Sequence, residues 1–111
     1  MTLREWFRAC SDLIYAEAER IQLQADTREL GLYYPPMLHW PEEPVYKLTG
    51  DWYHQRRRYA FRIRWFPPRG ALPTNRPREG DLLPHWWPSP ERILETVSPI
   101  LQGRGQPEVI L

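Results

Sequence analysis

Proline placement decides where regular structure can run in this chain. Proline has no amide hydrogen and a fixed φ, so helix interiors and central strands are closed to it. The 111 residues include 13 prolines; none precedes Pro35, none lies between Pro44 and Pro67, and seven fall within residues 67–90. Three windows stay open to regular elements: the first 34 residues, residues 45–66, and the segment from Pro90 onward. A chain so divided needs dense apolar groups, and six Trp, six Tyr and three Phe supply them. The length suits one domain over 1–111 and is too short for two separate cores.

The first window predicts one long amphipathic helix over residues 2–30. Thr2 and Glu5 have capping-box spacing, and Gly31 stands where a left-handed C-cap belongs. Leu3, Trp6, Phe7, Cys10, Leu13, Ile14, Ala18, Ile21 and Ala25 form one apolar stripe at three- and four-residue steps, opposite Arg4, Arg8, Asp12, Glu19 and Arg20. At ~1.5 Å per residue that helix is about 40 Å long, more than a domain of this size readily covers. It therefore projects, packs on a second chain, or breaks near Asp26-Thr27.

In the second window, Val45–Thr49 and Trp52–Gln55 flank Gly50-Asp51, which predicts a two-residue hairpin turn with Thr49 facing Trp52, Leu48 facing Tyr53 and Lys47 facing His54. A break is expected around Gln55–Arg58, then a strand over Tyr59–Phe66. There Tyr59, Phe61, Ile63 and Trp65 alternate with Arg58, Ala60, Arg62 and Arg64. The expected fold is α+β: a long N-terminal helix packed on a small antiparallel sheet over 45–66, a Pro-rich arm over 67–90 and a short helix over 90–101. Ser89 is its expected N-cap, Pro90 its first residue and Pro99 its end. Of the connection 32–44, Tyr33, Tyr34, Met37, Leu38 and Trp40 are expected to bury. Val109–Leu111 adds an edge strand or frays.

A net charge of +1 hides an asymmetry. Residues 52–78 hold eight Arg, at 56, 57, 58, 62, 64, 69, 76 and 78, with no acidic residue, so the remainder carries −7. Guanidinium gives planar, bidentate recognition of phosphate and carboxylate. Arg56, Arg57, Arg58, Arg62, Arg64 and Arg69 are thus the candidate contacts to nucleic acid or another polyanion, unless carboxylates of the same chain neutralise them. Only Phe66 shares the Arg face by parity, so phosphate contact is expected over base readout. The alternative is a protein-interaction or assembly subunit, such as a mobile-element accessory protein, using the same arginines against an acidic protein with Trp86, Trp87 and Phe66 as interface anchors. An incompletely paired strand also suits a homodimer.

Catalytic patterns are absent from the sequence. There is no phosphate-cradling Gly loop, no HExxH and no CxxC, so neither an enzyme nor a cofactor is expected. His39, His54 and His85 lack metal-ligand spacing, and no metal site is expected. Cys10 excludes an intrachain disulfide and sits on the apolar stripe as an inert thiol. Glu5, Arg8 and Asp12 interrupt any signal-like run, and no stretch approaches the ~20 apolar residues of a spanning helix, so a cytoplasmic protein without membrane contact is expected. The string Tyr59-Ala-Phe-Arg-Ile-Arg-Trp65 is similar to the central strand of RelE-type ribosome-dependent nucleases, over that strand alone, and no site residue is carried over from it.

Overall fold

A computed structural model describes residues 1–23, 27–33, 45–54, 57–69 and 80–111, with side chains described at all of these except 27–29, 53, 54 and 57. The elements are α1 (Leu3–Arg20), β1 (Thr27–Tyr33), β2 (Tyr46–His54), β3 (Arg57–Trp65), α2 (Pro90–Leu101) and β4 (Glu108–Ile110). The fold is α+β, as the periodicities predict.

α1 opens with the expected capping box. The Thr2 hydroxyl accepts from the Glu5 amide at 3.2 Å, and the Glu5 carboxylate accepts from the Thr2 amide at 3.0 Å. The helix does not reach residue 30. It stops at Arg20 in a Schellman turn: Gln22 takes φ 60°, the Leu23 amide donates to the Ala18 carbonyl at 2.8 Å, and the Gln22 amide to Glu19 at 3.0 Å. A helix over 2–30 would match the full 43 Å long axis of the molecule, whereas stopping at Arg20 frees residues 27–33 to pair with β2. Gly31 is accordingly a strand residue, not a cap.

The hairpin turn expected at Gly50-Asp51 is also absent. Tyr46–His54 is one unbroken strand, and the chain reverses between His54 and Arg57, which pair directly. Gly50 serves close approach instead of a turn: its register partner is Phe61, and a Cβ added at Gly50 would sit 2.2 Å from the Phe61 ring and 2.8 Å from Trp52. Lys47, Leu48 and Thr49 therefore face Arg64, Ile63 and Arg62 across the ladder. β3 covers most of the expected Tyr59–Phe66 strand but starts at Arg57, inside the expected break, and ends at Trp65, one residue early.

The sheet order is β1-β2-β3-β4. The sheet over 45–66 is antiparallel as expected; β1, not expected as a strand, adds to it antiparallel, and β4 joins β3 in parallel through the α2 crossover, so the sheet is mixed. The C-terminal segment thus forms an edge strand, held by Arg62 N–H to Pro107 O at 2.8 Å and Leu111 N–H to Arg64 O at 2.9 Å. α2 begins at Pro90 with Ser89 as N-cap, but Pro99 does not end it. Pro99 lies in the last turn, where its missing amide removes only one helical bond. A second Schellman turn then closes on Gly103 at φ 77°, with the Arg104 amide donating to the Pro99 carbonyl at 2.7 Å.

Both helices pack on the inner face of the sheet. Tyr46, Leu48 and Trp52 of β2 and Phe61, Ile63 and Trp65 of β3 are buried there with Trp6, Cys10 and Ile14 of α1 and Ile93 and Val97 of α2. Trp6, Trp65 and Trp87 meet pairwise at 5.2–5.7 Å, and Tyr46 stacks on Trp65 at 6.0 Å. The described part of the arm docks on this cluster: Trp6 Nε1–H donates to Pro88 O at 2.7 Å, and Leu83 N–H to Met1 O at 3.0 Å. Leu30 and Leu32 add partial cover, while Tyr33, expected to bury, is exposed. Tyr34, Met37, Leu38 and Trp40 lie outside the described residues.

Candidate functional site

Because side chains alternate along a strand, burying Tyr46, Leu48, Phe61, Ile63 and Trp65 turns their neighbours to the opposite, outer face. Helices cover only the inner face among the described residues. Across the outer face, register aligns Tyr33, Lys47, Arg64 and Ile110 in one row and Gly31, Thr49, Arg62 and Glu108 in the next. Asp51 pairs with Ala60 beyond them, and Arg58 lies further along β3. Gly31, Thr49 and Ala60 are small, so the middle of the face sinks into an open depression of about 700 Å³. Tyr33, Asp51, Arg58, Arg62, Pro107 and Glu108 also line it.

The arginines do not stand alone there. Arg58 clamps both Asp51 oxygens, Nε donating to Oδ1 at 3.0 Å and to Oδ2 at 3.1 Å, and Nη2 to Oδ2 at 2.7 Å. Those hydrogen bonds, more than the charge itself, hold the Asp51 carboxyl below the usual carboxylate range. Glu108 is shared, with Oε1 3.3 Å from Arg62 and Oε2 3.5 Å from Arg64. These contacts are longer than the ~2.7–2.9 Å of strong charge-assisted bonds. The Arg58 and Arg62 side chains remain 60% exposed and Arg64 34%. Exposed pairs of this kind contribute about 0–1 kcal/mol each, so Glu108 holds the two guanidinium groups only weakly.

The structure thus brings Arg58, Arg62 and Arg64 together on one face. Arg69 is exposed beyond β3 and forms no ion pair with a described residue. Arg57 pairs with His54 through the backbone of β3, and its side chain is outside the described set, as are Arg56, Arg76 and Arg78 altogether. Of the expected interface anchors, Trp87 is 7% exposed and belongs to the core. Trp86 is half-buried against Tyr46 at 5.7 Å. Phe66 is half-buried just past the end of β3, where strand parity no longer orients it.

Four outer-face residues lie outside the sequence-based site: Tyr33, which falls in the connection expected to bury; Lys47, which the expected hairpin register sets opposite His54; and Asp51 and Glu108, which fall in an expected turn and tail. The alternation Leu30-Gly31-Leu32-Tyr33 was the available signal. Other chemistry is sparse. Cys10 is buried, and burial, followed by the nearby charge of Glu91, pushes its thiol up to about 12. Among the described residues no group of three His, Cys, Asp or Glu could hold a metal ion, and no helix is long and apolar enough to cross a membrane. No protein-family model, curated protein or solved structure matches this chain.

Proposed function

We propose that this protein is a non-enzymatic binder of nucleic acid that contacts backbone phosphates on the outer sheet face with little sequence readout. One observation carries the reading: Lys47, Arg62 and Arg64 occupy adjacent register positions on a face that neither helix covers. Arg58 is left out of the contact set, because its bidentate clamp on Asp51 already satisfies the guanidinium fork. Arg62 and Arg64 share one carboxylate at long distance, so phosphate oxygens compete for them on favourable terms. Lys47 and the exposed Arg69 extend the basic surface.

Three phosphate contacts predict a slope of log K against log salt of about −2 to −3. The test is fluorescence anisotropy of the full chain with labelled oligonucleotides from low to moderate salt, with Arg62→Glu/Arg64→Glu as the control. Binding that falls at that slope and vanishes in the double variant supports the reading. No binding to any nucleic acid at low salt removes it.

A second reading, an assembly subunit that binds an acidic protein or a second copy, is favoured by Tyr33 and Ile110. They are 57% and 65% exposed on the same face, and tyrosine beside arginine is characteristic of protein interfaces. Tight association with one protein that is insensitive to salt, or a stable homodimer in solution, selects it.

A further inference from the structure

Resting on the phosphate-contact reading, we infer that the outer face takes single-stranded nucleic acid, with one base stacked on Tyr33. Tyr33 is the exposed aromatic ring among the residues whose side chains are described; the other large rings are buried or half-buried. It stands on the same face as the arginines, so the separation of aromatics from cations expected along β3 does not hold for the sheet as a whole. A Cβ placed on Gly31 would lie 3.4 Å from Tyr33 Cε2 and 4.0 Å from its hydroxyl oxygen. The ring therefore leans back along β1 over the space that Gly31 leaves open, instead of standing straight out from the sheet. Its far side remains in solvent.

Charge complementarity then names the occupant. The register partner of Tyr33 is Lys47, and the partner of Lys47 is Arg64. Strands are about 4.8 Å apart, so the two cations follow the Tyr33 backbone at one and two strand spacings, while the ring, tilted over Gly31, comes into the row of Thr49 and Arg62. A base lying on Tyr33 has Arg62 in the ring's own row and Lys47 and Arg64 in the adjoining row to take its phosphates. Bases in a duplex are stacked on each other and offer no face to a side chain, whereas an unpaired base does. A flat ring set beside a short row of cations suits an unpaired strand better than a double helix.

The test measures anisotropy at one low salt concentration with a short labelled oligothymidylate, a duplex, and heparin as a polyanion without bases. Wild type is expected to prefer the single strand over the duplex. Tyr33→Ala is expected to weaken oligothymidylate binding roughly ten- to hundredfold while leaving heparin binding unchanged. Tyr33→Trp, which enlarges the platform, should keep or raise single-strand affinity and decides the matter should the alanine variant fold poorly. Equal affinity for single strand, duplex and heparin, with no response to Tyr33→Ala, overturns the stacking inference and leaves phosphate contact standing. Wild type binding none of the three fails the phosphate reading itself. Salt-insensitive binding to a protein that depends on Tyr33 assigns the ring to an interface and overturns the inference.

Discussion

Gly50→Ala tests the sheet register more sharply than any surface change. The new methyl carbon would stand 2.2 Å from both Cε1 and Cζ of Phe61 and 2.8 Å from Trp52 Cζ3. Neither ring has room to yield, since Phe61 is 1% exposed and Trp52 is fully enclosed. Overpacking a closed core costs about 1–3 kcal/mol, and contacts this short belong in the upper half of that range. Alanine's smaller freedom in the unfolded chain offsets about 0.4–1 kcal/mol. A net loss of about 2 kcal/mol is expected, which at ~4–8 °C per kcal/mol lowers Tm by roughly 8–16 °C. Phe61→Leu removes the two ring atoms that clash, so the double variant should be less destabilised than the sum of its parts, by a coupling of about 1–2 kcal/mol. Urea and thermal unfolding of the four proteins, followed by circular dichroism, measure the cycle. Were Gly50 required for a turn, deleting ring atoms would recover nothing; additive losses would refute the close-approach account.

Trp87→Ala should cost about 3–5 kcal/mol, as expected for emptying a core site, and Trp6→Phe about 1–3 kcal/mol by orphaning the Pro88 carbonyl; protease cleavage within 80–89 should accelerate in both. Asp51→Asn should release Arg58 to the surface, tightening polyanion binding and steepening its salt slope by about 0.7–0.9. The Asp51 carboxyl is held down when folded, so its contribution to stability is present above its unfolded pKa and lost as pH falls through the lower folded value; acid titration of wild type against Asp51→Asn isolates it. Cys10, with its thiol raised to about 12, should resist alkylation at neutral pH until the protein is unfolded, which a thiol-reagent time course with and without denaturant reads directly.

What the sequence made legible was periodic or local. The Thr2–Glu5 cap, the α1 stripe, the Ser89-Pro90 start of α2 and the alternation of Arg58, Arg62 and Arg64 against Phe61, Ile63 and Trp65 all follow from spacing along a few turns or strand steps. The errors came where a glycine was read by its habit. Residue type suggests a cap at Gly31 and a turn at Gly50, yet both sit inside strands: the Phe61 ring occupies the space of a Cβ at Gly50, and a Cβ at Gly31 would press on Thr49 Oγ1 at 3.1 Å. The actual end of α1 uses Gln22 in a conformation that glycine usually supplies, so nothing in the residue type announced it. The charge partners were hidden for another reason. Arg62 meets Glu108 across 46 positions of chain, through a parallel strand pairing that no local pattern encodes.

The docking of Trp6 beneath Trp87 and Pro88 has a bearing on biosynthesis. α1 leaves the ribosome before its cover: Trp52 and Trp65 of the sheet follow part-way along the chain, and Trp87 and Pro88, which close over Trp6, only some eighty positions later. At about 5–20 residues per second, the nascent helix waits roughly 4–16 s before that stripe is fully covered. Over this interval part of the greasy side of the segment is open to capture by a chaperone or by another unfinished copy.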